Sequence, residues 1–207
     1  MSDSYKTIKA EATAELTEKR SRFIASVRPV LSEEEAVGFI NGLRQEYWDA
    51  THNVYAYIIR ENNIMRYSDD GEPSGTAGMP VLDVLKKEGL TNLCIVVTRY
   101  FGGILLGTGG LVHAYSKSAK RGIDAAGTAE MVLCRELKIR CSYTMLGKLR
   151  SALEKRNVII GSIAYTDSVV IPLFVPLEEE EGVTKLVAEL TNAAAEIERG
   201  DEYYRAL

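Results

Sequence analysis

Two stretches, SDDGEPSGTAGMP at residues 68–80 and VVTRYFGGILLGTGGLVHAY at residues 96–115, decide how the chain reads as a fold. The first is turn chemistry throughout, with Gly71, Pro73, Gly75 and Gly78 breaking any regular element. Thr76 is the expected N-cap of the helix that follows, and Pro80 falls in its first turn, where a missing N–H is harmless. That helix is expected to reach about Lys87 and to stop at Gly89. LCIVVTRYF, residues 93–101, is a nearly unbroken apolar run and reads as a central strand buried on its two faces. GGILLGTGG, residues 102–110, then turns the chain into a helix that faces Leu111, Ala114, Tyr115, Ala119 and Ile123 inward.

Upstream, RFIASVRPV at 22–30 alternates as a strand does. Ser32 caps a helix with Glu35 completing a capping box, and Ala36, Phe39, Ile40, Leu43 and Tyr47 share its apolar face. HNVYAYIIR and IMRYS, separated by Asn62-Asn63, form an expected hairpin. Downstream of about residue 130 the period shortens. A strand at 131–143, a helix around 146–155, a hairpin of 157–165 and 169–176 turning at Thr166-Asp167, a helix at about 179–192 and a last strand from 195 read as βαββαβ. That order is the ferredoxin-like split βαβ arrangement. The fold class is therefore α+β with two domains, residues 1–130 and 131–207, close to the usual domain size of about 100 residues.

The rest of the composition narrows the function classes. No apolar run approaches the ~20 residues of a membrane span. The first residues lack the basic and apolar regions of a signal peptide, so a cytoplasmic protein that does not engage membranes is expected. Cys94, Cys134 and Cys141 are odd in number, widely spaced and set in apolar strands, which suits buried free thiols rather than disulfides or zinc ligands. A net charge of −4 weighs against indiscriminate nucleic-acid binding. The charge is unevenly placed, however. Arg135, Lys138, Arg140, Lys148, Arg150, Lys155 and Arg156 face only Glu136 and Glu154 locally, whereas Glu178 to Glu181 form an acidic run.

The two opening stretches carry a resemblance more specific than composition. Gly78, Val81, Leu82, Leu85, Leu90, Val96, Val97, Arg99, Tyr100, Phe101, Gly102, Gly103, Leu106 and Gly107 fill the pattern of the YigZ/IMPACT family, and KRSRFIA at 19–25 and THNVYAY at 51–57 also match its segments. The resemblance implies a first domain like the α/β sandwich of domain 2 of ribosomal protein S5. It implies a ferredoxin-like second domain resembling the last domain of elongation factor G. Eukaryotic relatives act on a stress-response kinase pathway through an additional N-terminal domain, and bacterial members are implied to be nucleic-acid or ribosome-associated proteins by analogy of fold.

Read as chemistry, the glycines of 102–110 serve either as hinges for a sharp turn or as an anion site at a helix start. In the second reading Thr108, Gly109 and Gly110, with Gly102, Gly103 and Gly107, expose backbone amides toward a phosphate. A second helix start at Ser74, Gly75 and Thr76 points to the same place. Arg99 supplies a forked donor, and Tyr100 and Phe101 offer a surface for base stacking, although at least one of the two rings is expected in the core. Tyr55 and Tyr67 are read as strand-packing aromatics. His113, on the helix leaving the glycine loop, is a better site candidate than His52, and each has a structural reading as a hydrogen-bonded histidine. Asp69, Asp70 and Glu72 are preferred as turn residues. No metal is expected, and Asp69 and Asp70 are the nearest approach to metal ligands or general bases. Ser74 and Thr76 lack a base partner, so no hydrolase triad and no catalytic residue is assigned.

The leading expectation is a non-enzymatic, translation-linked protein without a cofactor. It would bind RNA or a ribosome-associated surface through the glycine-loop face and the basic stretch 135–156. The alternatives are an enzyme or switch that binds a small phosphorylated ligand or nucleotide at the glycine loop, and a protein-interaction module using the acidic run 178–181. The oligomeric state is not readable.

Overall fold

The computed structural model describes residues 4–206. They divide into two compact units, Lys6–Ala129 on the one hand and Glu130 onward with the residues preceding Lys6 on the other. The chain is mixed α+β in each.

After β1 (Ser4–Ile8), the first unit continues with β2 (Ala12–Glu18), β3 (Ser21–Pro29), α1 (Glu33–Glu46), β4 (His52–Ile59), β5 (Ile64–Ser68), α2 (Gly78–Lys87), β6 (Leu93–Tyr100) and α3 (Gly107–Ala126). Its sheet is ordered β2-β3-β6-β4-β5, every neighbouring pair antiparallel. The apolar run of β6 is central because it is buried on two faces. On one, Phe23, Ala25, Ile95 and Val97 pack with Val81, Leu85, Tyr115 and Ile123 of α2 and α3. On the other, Cys94, Val96 and Tyr57 pack with Ala36, Phe39, Ile40 and Leu43 of α1. Full burial of a side chain of this size is worth about 1.5–3 kcal/mol, so a strand buried on two faces anchors the unit.

Local signals place the ends of these elements. The Glu35 N–H donates to Ser32 Oγ, and the Glu35 carboxylate reaches back to Leu31 N, one residue earlier than the usual capping box. Asn62 and Asn63 adopt φ of +58° and +51°, the left-handed backbone that asparagine tolerates in a tight turn. Thr76 does not cap α2. Its hydroxyl donates to the Pro73 carbonyl, and the cap is Asp69, whose carboxylate accepts from Gly75 N at 2.9 Å, Ala77 N at 3.1 Å and Gly78 N at 2.8 Å. A charged acceptor satisfies three amides where a hydroxyl satisfies one.

The second unit comprises β7 (Thr128–Cys141), α4 (Tyr143–Leu153), β8 (Ile159–Ile160), β9 (Ala164–Tyr165), β10 (Val169–Pro176), α5 (Glu180–Thr191) and β11 (Glu196–Ala206). Its strands run β11-β7-β10-β8 with antiparallel neighbours, β9 also pairs with β10, and the start of β1 lies beside β7. The βαββαβ order and this strand order are the ferredoxin-like arrangement. Leu137, Ile139, Ile171 and Leu173 form a core with Leu149, Leu153, Val183 and Val187 of the two helices. All three cysteines are buried and free. Among the described residues no helix is long and apolar enough to cross a membrane.

Candidate functional site

In the first unit β4 and β6 set His52 directly across from Arg99, and the loop from Asp69 to Ala77 crosses beside them. That loop is built by its three acids, each with its own task. Asp69 caps α2. The Asp70 carboxylate accepts from Asn53 N and Arg44 Nη2, each at 2.7 Å, while its carbonyl lies 2.7 Å from His52 Nδ1. Glu72 turns inward. Left-handed φ values at Asp70 (+46°) and Gly71 (+86°) make the bend that lets neighbouring residues point in these different directions.

Glu72 Oε1 accepts from Arg99 Nη1 at 2.5 Å and from the Tyr115 hydroxyl at 2.8 Å, and lies 3.8 Å from His52 Nε2. Glu72, Arg99 and Tyr115 are buried, at 8 %, 5 % and 0 % exposure. Burial, then the charge and hydrogen bond of Glu72, push the Tyr115 phenol far above its ordinary range, so it stays a donor. Arg99 is thus no free fork for a phosphate. Nη1 is committed to Glu72, Nη2 lies 3.4 Å from Ser21 Oγ, and Nε is buried without a partner.

His52, Glu72 and Arg99 of this cluster line a cavity of about 450 Å³, with Tyr115 behind them outside its lining. Its walls include Thr51, Pro73, Phe101, Leu105, Leu106 and Leu111, with Gly107 and Thr108 from the start of α3. The two helix starts are chemically unlike. At α2 Asp69 accepts from the Ala77 and Gly78 amides, whereas among the described residues no side chain caps the start of α3. Uncapped amides at the end of a helix dipole favour an anion. Phe101 is 46 % exposed on the cavity wall, with the Arg99 guanidinium 5.6 Å from its ring centre. Tyr100 is half-buried, and its hydroxyl donates to Asp49, so neither ring of the pair belongs to the core. Gly102 is required by close approach: a Cβ there would lie 2.0 Å from the Arg20 carbonyl carbon.

The structure therefore brings together Arg99, Phe101, Gly107 and Thr108 from the sequence-predicted set. It sets Ser74, Gly75, Thr76 and His113 outside the cavity lining, and Gly103, Gly109 and Gly110 flank the lining without entering it. His52, ranked below His113 in the sequence, Glu72, read as a turn residue, and Tyr115, read as helix core, are the further residues that the structure brings to this cluster. Their partners lie far off in the chain, and no local spacing announces them. Asp69 and Asp70 hold loop and helix in place, and among the described residues no cluster of three metal-ligating side chains occurs.

In the second unit the arginines of the basic stretch pair with carboxylates, two of which, Glu179 and Glu180, belong to the acidic run. Arg135 pairs with Glu202 at 2.5 Å and Glu180 at 3.4 Å, Arg140 with Glu196, Arg150 with Glu154 and Arg156 with Glu179. Lys148 donates to the Leu190 carbonyl, Lys138 lies across from Glu198 in register, and Lys155 is exposed. Such surface pairs are worth only about 0–1 kcal/mol each, yet each of the four arginines has a carboxylate beside it.

Comparison with known proteins agrees with this two-unit plan. Residues 19–123 match the Impact N-terminal domain, and residues 139–194 match a "Domain of unknown function (DUF1949)". The chain is 42 % identical to IMPACT family member YvyE of Bacillus subtilis, covering 99 % of this chain and 94 % of that one. It is 33 % identical to IMPACT family member YigZ of Escherichia coli, covering 88 % and 87 %. Protein IMPACT homolog of Dictyostelium discoideum is 43 % identical over only 47 % of this chain and 29 % of its own length. A solved structure described as that of a hypothetical protein superposes with a TM-score of 0.62 at 30 % identity, covering 95 % of this chain and 97 % of the other. With a family domain over half its length and full-length relatives of that name, the chain belongs to the IMPACT family.

Proposed function

We propose that the first unit is a binding module for a phosphate-bearing ligand with a flat, apolar part, a nucleotide being the matching chemistry, either free or as part of an RNA strand. The uncapped start of α3, opening on a cavity with an exposed Phe101 on its wall, carries this reading. The amides and helix dipole suit the phosphate, and the ring suits a base. A second observation points the same way: Arg99, a residue of the same cavity lining, keeps its Nε donor without a protein partner. The volume lies within the roughly 300–1,000 Å³ of small-molecule sites. The reading is non-catalytic. In it, the translation link implied by the family resemblance runs through an RNA or ribosome-associated phosphate at this pocket. The paired basic stretch of the second unit favours the pocket over a broad polyanion surface.

Gly109→Asp tests it. A Cβ at Gly109 meets open space, and an aspartate in the first turn suits α3 while its carboxylate occupies the anion position. Equilibrium binding of inorganic phosphate, AMP, GMP and a short RNA would be measured at two salt concentrations. Binding by the wild-type chain that drops at least about tenfold in the variant is the expected result. A steep salt dependence for RNA with a shallow one for nucleotides identifies the strand as the larger ligand. Equal binding by wild type and variant, or none by either, overturns the proposal.

A further inference from the structure

The cavity floor holds an unresolved confrontation between two acceptors. His52 Nδ1 lies 2.7 Å from the Asp70 carbonyl oxygen, which can only accept, so Nδ1 is the nitrogen that donates and, in the uncharged ring, Nε2 is left with its lone pair. A Cβ at Gly71 would lie 3.5 Å from Cε1 and Nδ1 of the same ring, so the glycine backbone runs close beside it. Nε2 is then an acceptor. It lies 3.8 Å from Glu72 Oε1, and Glu72 is ionised against Arg99. Oε1 already receives Arg99 and Tyr115, whereas Oε2 has no protein donor among the described residues. Two acceptor faces beside an apolar wall are stabilised by a donor placed between them.

We infer that this floor selects ligands by a hydrogen-bond donor edge: an amine or ring N–H of a purine nucleotide donates to His52 Nε2 and Glu72 Oε2 while its phosphate lies at the start of α3. The inference rests on the reading of the cavity as a nucleotide site and names what that site discriminates. A ligand of the same shape without the donor leaves the two acceptors bare, and loss of such a pairing discriminates far more strongly than loss of apolar contact.

The test compares AMP and GMP with purine riboside 5′-monophosphate, which has the same ring, sugar and phosphate but no base donor. In the wild-type chain the tighter of AMP and GMP should bind at least about tenfold better than purine riboside monophosphate. In Glu72→Gln the carbonyl must take the Oε1 position, because Arg99 Nη1 and Tyr115 donate there. The amide NH₂ then turns to the Oε2 position and opposes a ligand donor, and the preference should shrink to within about threefold or reverse. His52→Ala, which leaves Glu72, Arg99 and Tyr115 together, should weaken the donor-bearing nucleotide and spare the donor-free one. It also carries the test if Glu72→Gln fails to fold. Equal affinity of all three nucleotides for the wild-type chain overturns this inference alone. Absence of binding by all three overturns it together with the reading it rests on.

Discussion

Glu72 Oε1 and Arg99 Nη1 lie 2.5 Å apart, with each side chain buried and the Tyr115 hydroxyl closing on the same oxygen. The pair fastens the 69–77 loop to the central strand and to α3, so its energetics bear on the stability of the first unit as well as on the cavity. Breaking a buried pair from one side leaves an uncompensated charge, which costs more than the pair itself contributes.

Arg99→Ala is accordingly expected to destabilise the first unit by about 3–5 kcal/mol, seen as a lowered urea midpoint. An Arg99→Ala chain as stable as wild type would contradict the buried pairing.

Asp69→Ala should cost about 2 kcal/mol, the upper end for loss of a helix cap, because the loop amide of Gly75 and the Ala77 and Gly78 amides at the start of α2 lose their acceptor together. Chemical denaturation measures it. Thr76→Val should cost less, since the Thr76 hydroxyl reaches only the Pro73 carbonyl. A reversed order of the two effects would restore Thr76 as the cap.

Two glycines of the 102–110 turn should respond in opposite ways. Gly102→Ala forces a Cβ against the Arg20 and Ser21 backbone and should destabilise by about 3 kcal/mol or more, because backbone cannot move aside as a flexible side chain does. Gly109→Ala, set in open space inside α3, should be neutral or stabilising by up to about 1 kcal/mol. Thermal unfolding of the two variants separates hinge glycines from permissive ones.

Tyr115 gives a pH prediction of definite sign. Its phenol is raised in the folded chain, first by burial and then by Glu72, so the unfolded state loses the proton first. The contribution is fully present below the unfolded value of about 10 and declines as pH rises through that value toward the folded one. Stability should fall above about pH 10, and less steeply in Tyr115→Phe, which at neutral pH should cost about 1–3 kcal/mol for the lost hydrogen bond to a charged group. Identical alkaline profiles would place the titration elsewhere.

The elements were legible because their causes are local. Ser32 and Glu35 announce the start of α1, the run from Leu93 to Tyr100 announces a strand buried on two faces, and Asn62-Asn63 announce a turn. The glycine loop announces the start of α3 for the same reason. What failed was long-range pairing. Thr76 was the nearest capping residue, yet Asp69 holds the amides by folding back across the loop. Arg99 looked like a free cation because Glu72 reaches it only through tertiary structure. The basic stretch 135–156 looked unopposed because Glu179, Glu180, Glu196 and Glu202 arrive from α5 and β11. His52 had no distinguishing neighbour in sequence, since its ring is oriented by the backbone of Asp70.

An amide-resolved NMR titration of the whole chain with AMP and GMP checks the proposed seat of a nucleotide phosphate on the first amides of α3. Saturable shifts are expected at Gly107, Thr108, Gly109 and Gly110, with His52 and Phe101 following, and the start of α2 at Gly78 largely unmoved. Saturable shifts centred on α2, on the second unit, or nowhere in the chain would contradict it.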